Sequence, residues 1–318
     1  MPAPSASETV FVVPGQGGNP RGALLEVYRA CAAAEAEAEQ VLEPIQRALE
    51  GTGAGPPLRT LLLSESRSVP ARPGVPQLAG YTVSVVLGRL LTRALGPPAA
   101  IVGLSFGEIA ALVCARAFDV ADGTRAVCAL NAAFAEVAGQ GAMVLLPRVG
   151  EAECRRLLAA TGRRDLVLAC VNAPDQTVVS GPLDAIEALL ARPSPPMVRL
   201  AVPYASHHPA LTAVADRFRK GMSGLPQRRL RIPVHSPVRG RAYHDGDDLR
   251  QALADCVTNP LDLPGTLRRL GPGHRYVELG VGDALTRCVR KTLPGARALA
   301  PLGGDLAWLR AALSCAIP

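Results

Sequence analysis

The stretch AAIVGLSFGEIAALVCARAF, residues 99–118, sets Ser105 between Gly103 and Gly107. Residues 99–104 are a short apolar run with the length of a buried strand, and residues 107–117 open a helix. Strand, sharp turn and helix therefore meet at the serine. This is a nucleophile-elbow arrangement: the glycines allow close backbone approach and a strained turn, and the helix N-terminus behind the serine stabilises a developing oxyanion. The G-x-S-x-G spacing also occurs in ordinary turns, so on its own it leaves a loop residue, a helix cap and a nucleophile open.

On the N-terminal side, ETVFVV at 8–13 is a β-rich run that feeds a glycine-rich turn, Pro14-Gly15-Gln16-Gly17-Gly18. Residues 24–49 have helical periodicity with an interruption expected at Pro44, and residues 77–95 form a second long helix. From Gly141 the elements shorten. A strand (AMVLLP), a helix (151–161), two strands joined by a turn at Asn172–Asp175, a helix (183–191) and a strand from Met197 follow in the β-α-β-β-α-β order of a ferredoxin-like split unit, about 60 residues long. Larger units then return: helices at 210–222, 249–257 and 263–270, with strands near 231–234 and from Arg275. The pattern predicts an α/β fold: an α/β-hydrolase-like large domain with a parallel sheet (1–138 and 199–318) and a small inserted ferredoxin-like subdomain (139–198).

Composition narrows the function classes. Hydrophobic residues make up 48% and aromatics 3%, so the core is built from Ala, Leu and Val. A net charge of +7 comes without a Lys/Arg block interleaved with aromatics, which argues against nucleic acid and fits an acidic protein partner or simple solubility. The first ten residues lack the basic and apolar regions of a signal peptide, and no continuous apolar run reaches the roughly 18 residues of a membrane span. The expectation is a cytoplasmic protein with no membrane partner. Eight dispersed cysteines without a CxxC pair read as small buried hydrophobes, with no metal site.

VPYASHHPAL, residues 202–211, places His207 between a strand and a helix, where a general base could face the serine. Taken together, Gly15-Gln16-Gly17, Gly103-Leu104-Ser105-Phe106-Gly107-Glu108, Asn172-Ala173-Pro174 with Ser180-Gly181, Tyr204-Ala205-Ser206-His207 and Glu278-Leu279-Gly280-Val281-Gly282 run in order over nearly the whole chain. In this the sequence resembles the malonyl-CoA:acyl carrier protein transacylases and the acyltransferase domains of polyketide synthases. The resemblance implies Ser105 as the acylated nucleophile and His207 as its base and later acid. It also implies the amides of Gln16 and Phe106 as the oxyanion hole, and a carbonyl in the Asn259–Asp262 segment as the group that orients the histidine.

Two departures bear on the substrate. Leu104 stands where the family has histidine, and Asn131 aligns with the arginine that grips a malonyl carboxylate; no Arg or Lys lies between Arg125 and Arg148. With Tyr204, Ala205 and Ser206 in the YASH motif, these positions predict a wider, less cationic pocket for an uncharged or bulky group: a starter, aminoacyl or peptidyl unit. No bound cofactor is expected, because phosphopantetheine arrives with the substrate, on coenzyme A or an acyl carrier protein. At this length the chain is expected to be a discrete, trans-acting acyltransferase of polyketide or antibiotic biosynthesis. A proofreading acyl-carrier hydrolase and a non-catalytic carrier-binding module are the rival readings. For docking an acidic carrier, Arg155, Arg156, Arg163, Arg164, Arg287, Arg290 and Lys291 are the candidates.

Overall fold

The computed structural model describes residues 8–16, 18–52, 54–64 and 74–316; Gly17 of the glycine-rich turn lies outside them. The chain begins with β1 (Thr9–Val13), α1 (Leu25–Ala30), α2 (Ala32–Ala48), α3 (Gly55–Leu63), α4 (Val75–Leu95), β2 (Ala100–Gly103), α5 (Gly107–Cys114) and α6 (Val120–Ala135). The middle carries β3 (Gly141–Leu146), α7 (Glu151–Ala159), β4 (Val167–Ala173), β5 (Gln176–Pro182), α8 (Leu183–Leu190) and β6 (Val198–Arg199). It closes with α9 (Thr212–Gly221), β7 (Val234–Ser236), β8 (Arg241–Ala242), α10 (Leu249–Thr258), β9 (Leu261–Asp262), α11 (Leu263–Leu270), β10 (Arg275–Glu278), α12 (Ala284–Thr292), β11 (Arg297–Leu299) and α13 (Leu306–Ala316).

Six strands form one sheet in the order β11-β10-β1-β2-β7-β8, parallel except for the β7–β8 pair. All five residues of β1 are buried. Helices cover both faces of such a sheet, which is why TVFVV shows no polar alternation. The carboxyl ends of β1 and β2 lie side by side, so the glycine-rich turn and the elbow leave the sheet at one edge, where open α/β sheets bind ligands.

The second sheet has the order β6-β3-β5-β4-β9. Its first four strands are mutually antiparallel and occur in the predicted element order. The fifth, β9, pairs in parallel with β4 and comes from residues 261–262, so this sheet is not confined to 139–198.

Two expectations for the helices need correction. The break in residues 24–49 falls at Cys31, whose extended backbone (φ −170°) separates α1 from α2, while Pro44 stays inside α2. The ring removes one helical hydrogen bond and frees the Gln40 carbonyl. Arg89 Nη1 lies 3.5 Å from that oxygen, and burial of Val41, Leu42 and Ile45 holds the helix together across the proline. In addition, α4 is 21 residues long and apolar enough in composition to cross a membrane, with 67% of its most apolar window buried inside the protein. It packs against α2, α5, α6 and α13 as the central core helix.

Candidate active site

Ser105 has φ +54°, a left-handed conformation that L-residues rarely adopt and that costs of order 1–3 kcal/mol. The flanking glycines make this possible. A Cβ on Gly103 would sit 2.6 Å from Glu108 Cα, and one on Gly107 would sit 2.4 Å from the carbonyl oxygens of both Val13 and Pro14. The elbow is therefore pressed against the end of β1. Gly15 closes the same gap from the other side, since its Cβ would lie 2.9 Å from the Leu104 carbonyl oxygen. Among the described residues, neither the Gln16 nor the Phe106 backbone N–H has a hydrogen-bond acceptor.

His207 faces the serine: Ser105 Oγ and His207 Nε2 are 2.7 Å apart, and His207 Nδ1 is 2.8 Å from the Asn259 carbonyl oxygen. A carbonyl can only accept, so Nδ1 carries the proton and Nε2 presents its lone pair to the hydroxyl. His207 also has a left-handed backbone (φ +58°) and is 2% exposed. Burial lowers its pKa from 6.5 to about 4, so at physiological pH the imidazole is neutral with its Nε2 lone pair free. Its neighbour His208 has a different task. Its Nδ1 accepts the Ala210 N–H at 3.1 Å and Nε2 donates to the Asp165 carbonyl, so it caps the turn that leads into α9.

The remaining sequence-predicted residues divide. Gln16 is clamped, its Oε1 accepting from Tyr204 Oη at 2.6 Å and Gln77 Nε2 at 3.2 Å. Tyr204 stacks on Phe134 with ring centroids 4.0 Å apart, and Ala205 is packed against Gly141. These two therefore support the site from behind, and the space that Ala205 was expected to open is taken up by backbone. Ser206 and Leu104 do line cavities at Ser105.

Asn131 does not. Its Nδ2 donates to the Gly74 carbonyl at 3.1 Å, and the neighbouring Leu130 lines the cavity with Ser105 instead. One residue along a helix is a rotation of about 100°. Leu130 and Phe134, at i and i+4, share the face that looks at the nucleophile, a spacing legible in the sequence but passed over there. With Phe106, Ile109, Phe218, Leu253, Cys256 and Val257 they enclose about 20 Å³ of apolar space beside Ser105. The predicted wide pocket is thus a narrow one, filled by phenylalanine rings. A second cavity of about 110 Å³ lies on the other side, between the elbow and the small sheet, lined by Leu104, Met143, Cys170, Asn172, Val178 and His207 among others.

Two carboxylates hold the surrounding frame. Glu278 accepts the backbone N–H groups of Leu285 and Thr286 at 3.2 and 2.8 Å, so the Glu278–Gly282 motif anchors the start of α12 and packs Gly280 against Pro14. Glu108, in the first turn of α5, accepts from Ser236 Oγ at 2.7 Å and from Tyr243 Oη. Burial pushes its carboxyl from 4.5 up to about 7. Because the folded pKa lies above the unfolded one, the stability that this group contributes is present below about pH 4.5 and is lost as pH rises through about 7. Glu108→Gln, which keeps the shape without the charge, is expected to remove this contribution. The difference in Tm between wild type and Glu108→Gln should shift in favour of the variant from pH 5 to pH 8, and parallel Tm curves would refute the assignment.

The basic residues predicted to meet a carrier differ in setting. Arg155 is exposed, pairs with Glu151 at 2.9 Å and lines a groove of about 480 Å³ that also contains His207, Asn259 and Pro260. Arg156 and Arg164 are exposed without an ion pair among the described residues, whereas Arg163 is held by Asp165 and Asp184. On α12, Arg287 pairs with Asp283, Arg290 donates to the Ala298 carbonyl and Lys291 bridges to Asp175.

Residues 10–257 match the acyl transferase domain family. The chain is 34% identical over 305 residues to the spectinabilin polyketide synthase system protein NorA' of Streptomyces orinoci, covering 91% of this chain and 8% of that protein. It is 31% identical to the erythronolide synthase EryA3 of Saccharopolyspora erythraea, covering 95% of this chain and 9% of that one. The chain thus spans under a tenth of the length of these relatives. Among solved structures, it is similar to the malonyl-CoA:acyl carrier protein transacylase of Xanthomonas oryzae (28% identity, TM-score 0.83, 96% and 99% of the two chains covered). It is similar also to a loading acyltransferase from the avermectin modular polyketide synthase (26%, TM-score 0.80, 95% and 99% covered). A serine held on a strained elbow, a neutral imidazole against its hydroxyl and a family match over most of the chain lead to one conclusion: this chain belongs to the acyl transferase domain family.

Proposed function

We propose that the protein moves an uncharged acyl group between phosphopantetheine thioesters of a polyketide-type pathway through an acyl-Ser105 intermediate. The observation that carries this reading is the Ser105–His207–Asn259 chain of contacts opening onto an apolar cavity. Ser105 Oγ attacks the thioester carbonyl as its proton passes to His207 Nε2, and the Asn259 carbonyl stabilises the imidazolium through Nδ1–H. The Gln16 and Phe106 amides, which have no acceptor among the described residues, are suited to the oxyanion. Collapse expels the first thiol with the proton from His207. A second thiol, losing its proton to His207, then attacks the ester carbonyl and carries the acyl group away.

The reading of the acyl group departs from the malonyl substrate named for the Xanthomonas oryzae protein. Leu130 and Phe134 give α6 an apolar face toward Ser105, and among the described residues the cavity there has no cationic lining residue. A carboxylate buried without a partner is strongly disfavoured. The space as it stands is about that of a water or a methyl group, which suits acetyl; a longer acyl chain requires Phe134 or Phe218 to swing aside. Arg155, on the groove that holds His207, is the basic residue best placed to meet an acidic carrier protein.

Intact-protein mass spectrometry after incubation with acetyl, propionyl, malonyl, longer acyl and aminoacyl thioesters, on coenzyme A and on a carrier protein, tests the proposal. A stable adduct is expected from short uncharged donors and at least tenfold less from malonyl. A malonyl adduct that forms as fast as the others would overturn the substrate assignment. Loss of the adduct to water faster than to a carrier thiol would make the protein a hydrolase.

A further inference from the structure

The larger cavity at Ser105 is lined almost wholly by apolar side chains and by the residues of the reaction itself; the exception contributed by the small sheet is Asn172. Its Oδ1 is buried and has no hydrogen-bond partner among the described residues. Its backbone position is unusual as well. Val171 pairs with Thr177 and Ala173 with Gln176, so Asn172 is the extra residue of a β-bulge in the β4–β5 hairpin. Bulges beside functional sites re-aim a side chain, and a buried polar group without a partner calls for a ligand to supply one.

We infer that the Asn172 carboxamide binds the first amide of the pantetheine arm and so positions the thioester for attack. The inference rests on the proposed thioester substrate. The arm joins its sulfur to a secondary amide through two methylenes, offering one N–H donor and one carbonyl acceptor within reach of a carboxamide in the same cavity as Ser105. A primary carboxamide presents the complementary acceptor and donor, whichever way it is turned. The acyl group then occupies the closed apolar cavity walled by α6, α9 and α10, and the arm lies in the cleft between the two sheets. Asn172 is thus a positioning residue for the arm that takes no part in proton transfer.

The test uses one acyl group on three thiols: pantetheine, N-acetylcysteamine, which keeps the first amide, and butanethiol, which has none. Initial rates of Ser105 acylation are compared for the wild type, Asn172→Ala and Asn172→Asp, with each variant's Tm measured alongside. For Asn172→Ala the KM for both amide-bearing donors is expected to rise about tenfold with kcat little changed, while the butyl thioester is processed as by the wild type. Asn172→Asp, which still accepts the amide N–H, should recover part of the loss. Equal effects on all three donors, or no effect on any, would overturn the inference while leaving the acyltransferase reading intact. If wild type forms no Ser105 adduct from any thioester, the functional reading falls first and this inference with it. If Asn172→Ala fails to fold, the ratio of amide-bearing to amide-free rates in Asn172→Asp decides, and an unchanged ratio would overturn the inference.

Discussion

Ser105→Ala is expected to form no acyl-enzyme and to lose transfer activity by about 10³-fold or more. Transfer from one thioester to another goes through the serine ester, and water or a second thiol has no comparable nucleophile to replace it. Quenched-flow mass spectrometry of wild type and variant reads the adduct directly, and a variant that retains an acyl adduct would place the nucleophile elsewhere. The variant should still fold and melt near wild type, because alanine shares the unfavourable left-handed backbone that Ser105 adopts. Ser105→Gly separates the two costs. Glycine relieves the strain at φ +54°, so this equally inactive protein should be more stable than Ser105→Ala by about 1 kcal/mol. A glycine variant no more stable than the alanine variant would show that the turn stores no such strain.

His207→Gln should slow acylation by about 10²- to 10⁴-fold without preventing thioester binding. The wild-type pH profile carries the sharper signature. The active form is the neutral imidazole, and burial lowers its pKa to about 4, so single-turnover acylation should be flat from pH 8 to about 5 and fall only as the pH approaches 4. A solvent-exposed histidine would instead give a fall centred near its ordinary 6.5. The same depression removes folding stability as pH falls from 6.5 through about 4, since the unfolded chain takes up the proton first. The rates are therefore best measured after short pH jumps. A wild-type profile breaking near 6.5 would mean that the site is open to water during turnover.

Carbonyl rather than carboxylate support for His207 has a consequence for this profile. A buried carboxylate beside Nδ1 would hold the imidazolium and raise the pKa; the Asn259 carbonyl offers a dipole with no net charge, and desolvation prevails. The base is weak in water's terms but is delivered ready, with its tautomer set by a backbone group that no side-chain substitution removes.

Local chemistry was legible in the residue order. Gly103-Leu104-Ser105-Phe106-Gly107 dictates the elbow, because both glycines lie where a Cβ would collide with backbone, and the continuous apolar run TVFVV dictates a strand covered on two faces. His207 could be paired with Ser105 from motif order, and the alternating strands and helices of residues 141–199 set the topology of the small sheet. Other features depend on groups distant in sequence. Whether Leu130 or Asn131 faces the nucleophile is a matter of helix rotation against α2, α4, α5 and α9, and the Gly74 carbonyl that captures Asn131 lies 57 residues away. The short strand β9, two residues long, has no pattern of its own and exists because β4 offers an edge to pair with. Pocket width was misjudged for the same reason: Ala205 is small, but its Cβ points at Gly141, and the volume beside Ser105 is set by phenylalanines from α6 and α9. Periodicity and turn chemistry act over a few residues and can be read along the chain, whereas the shape and polarity of a cavity arise from side chains that meet only after every element has packed.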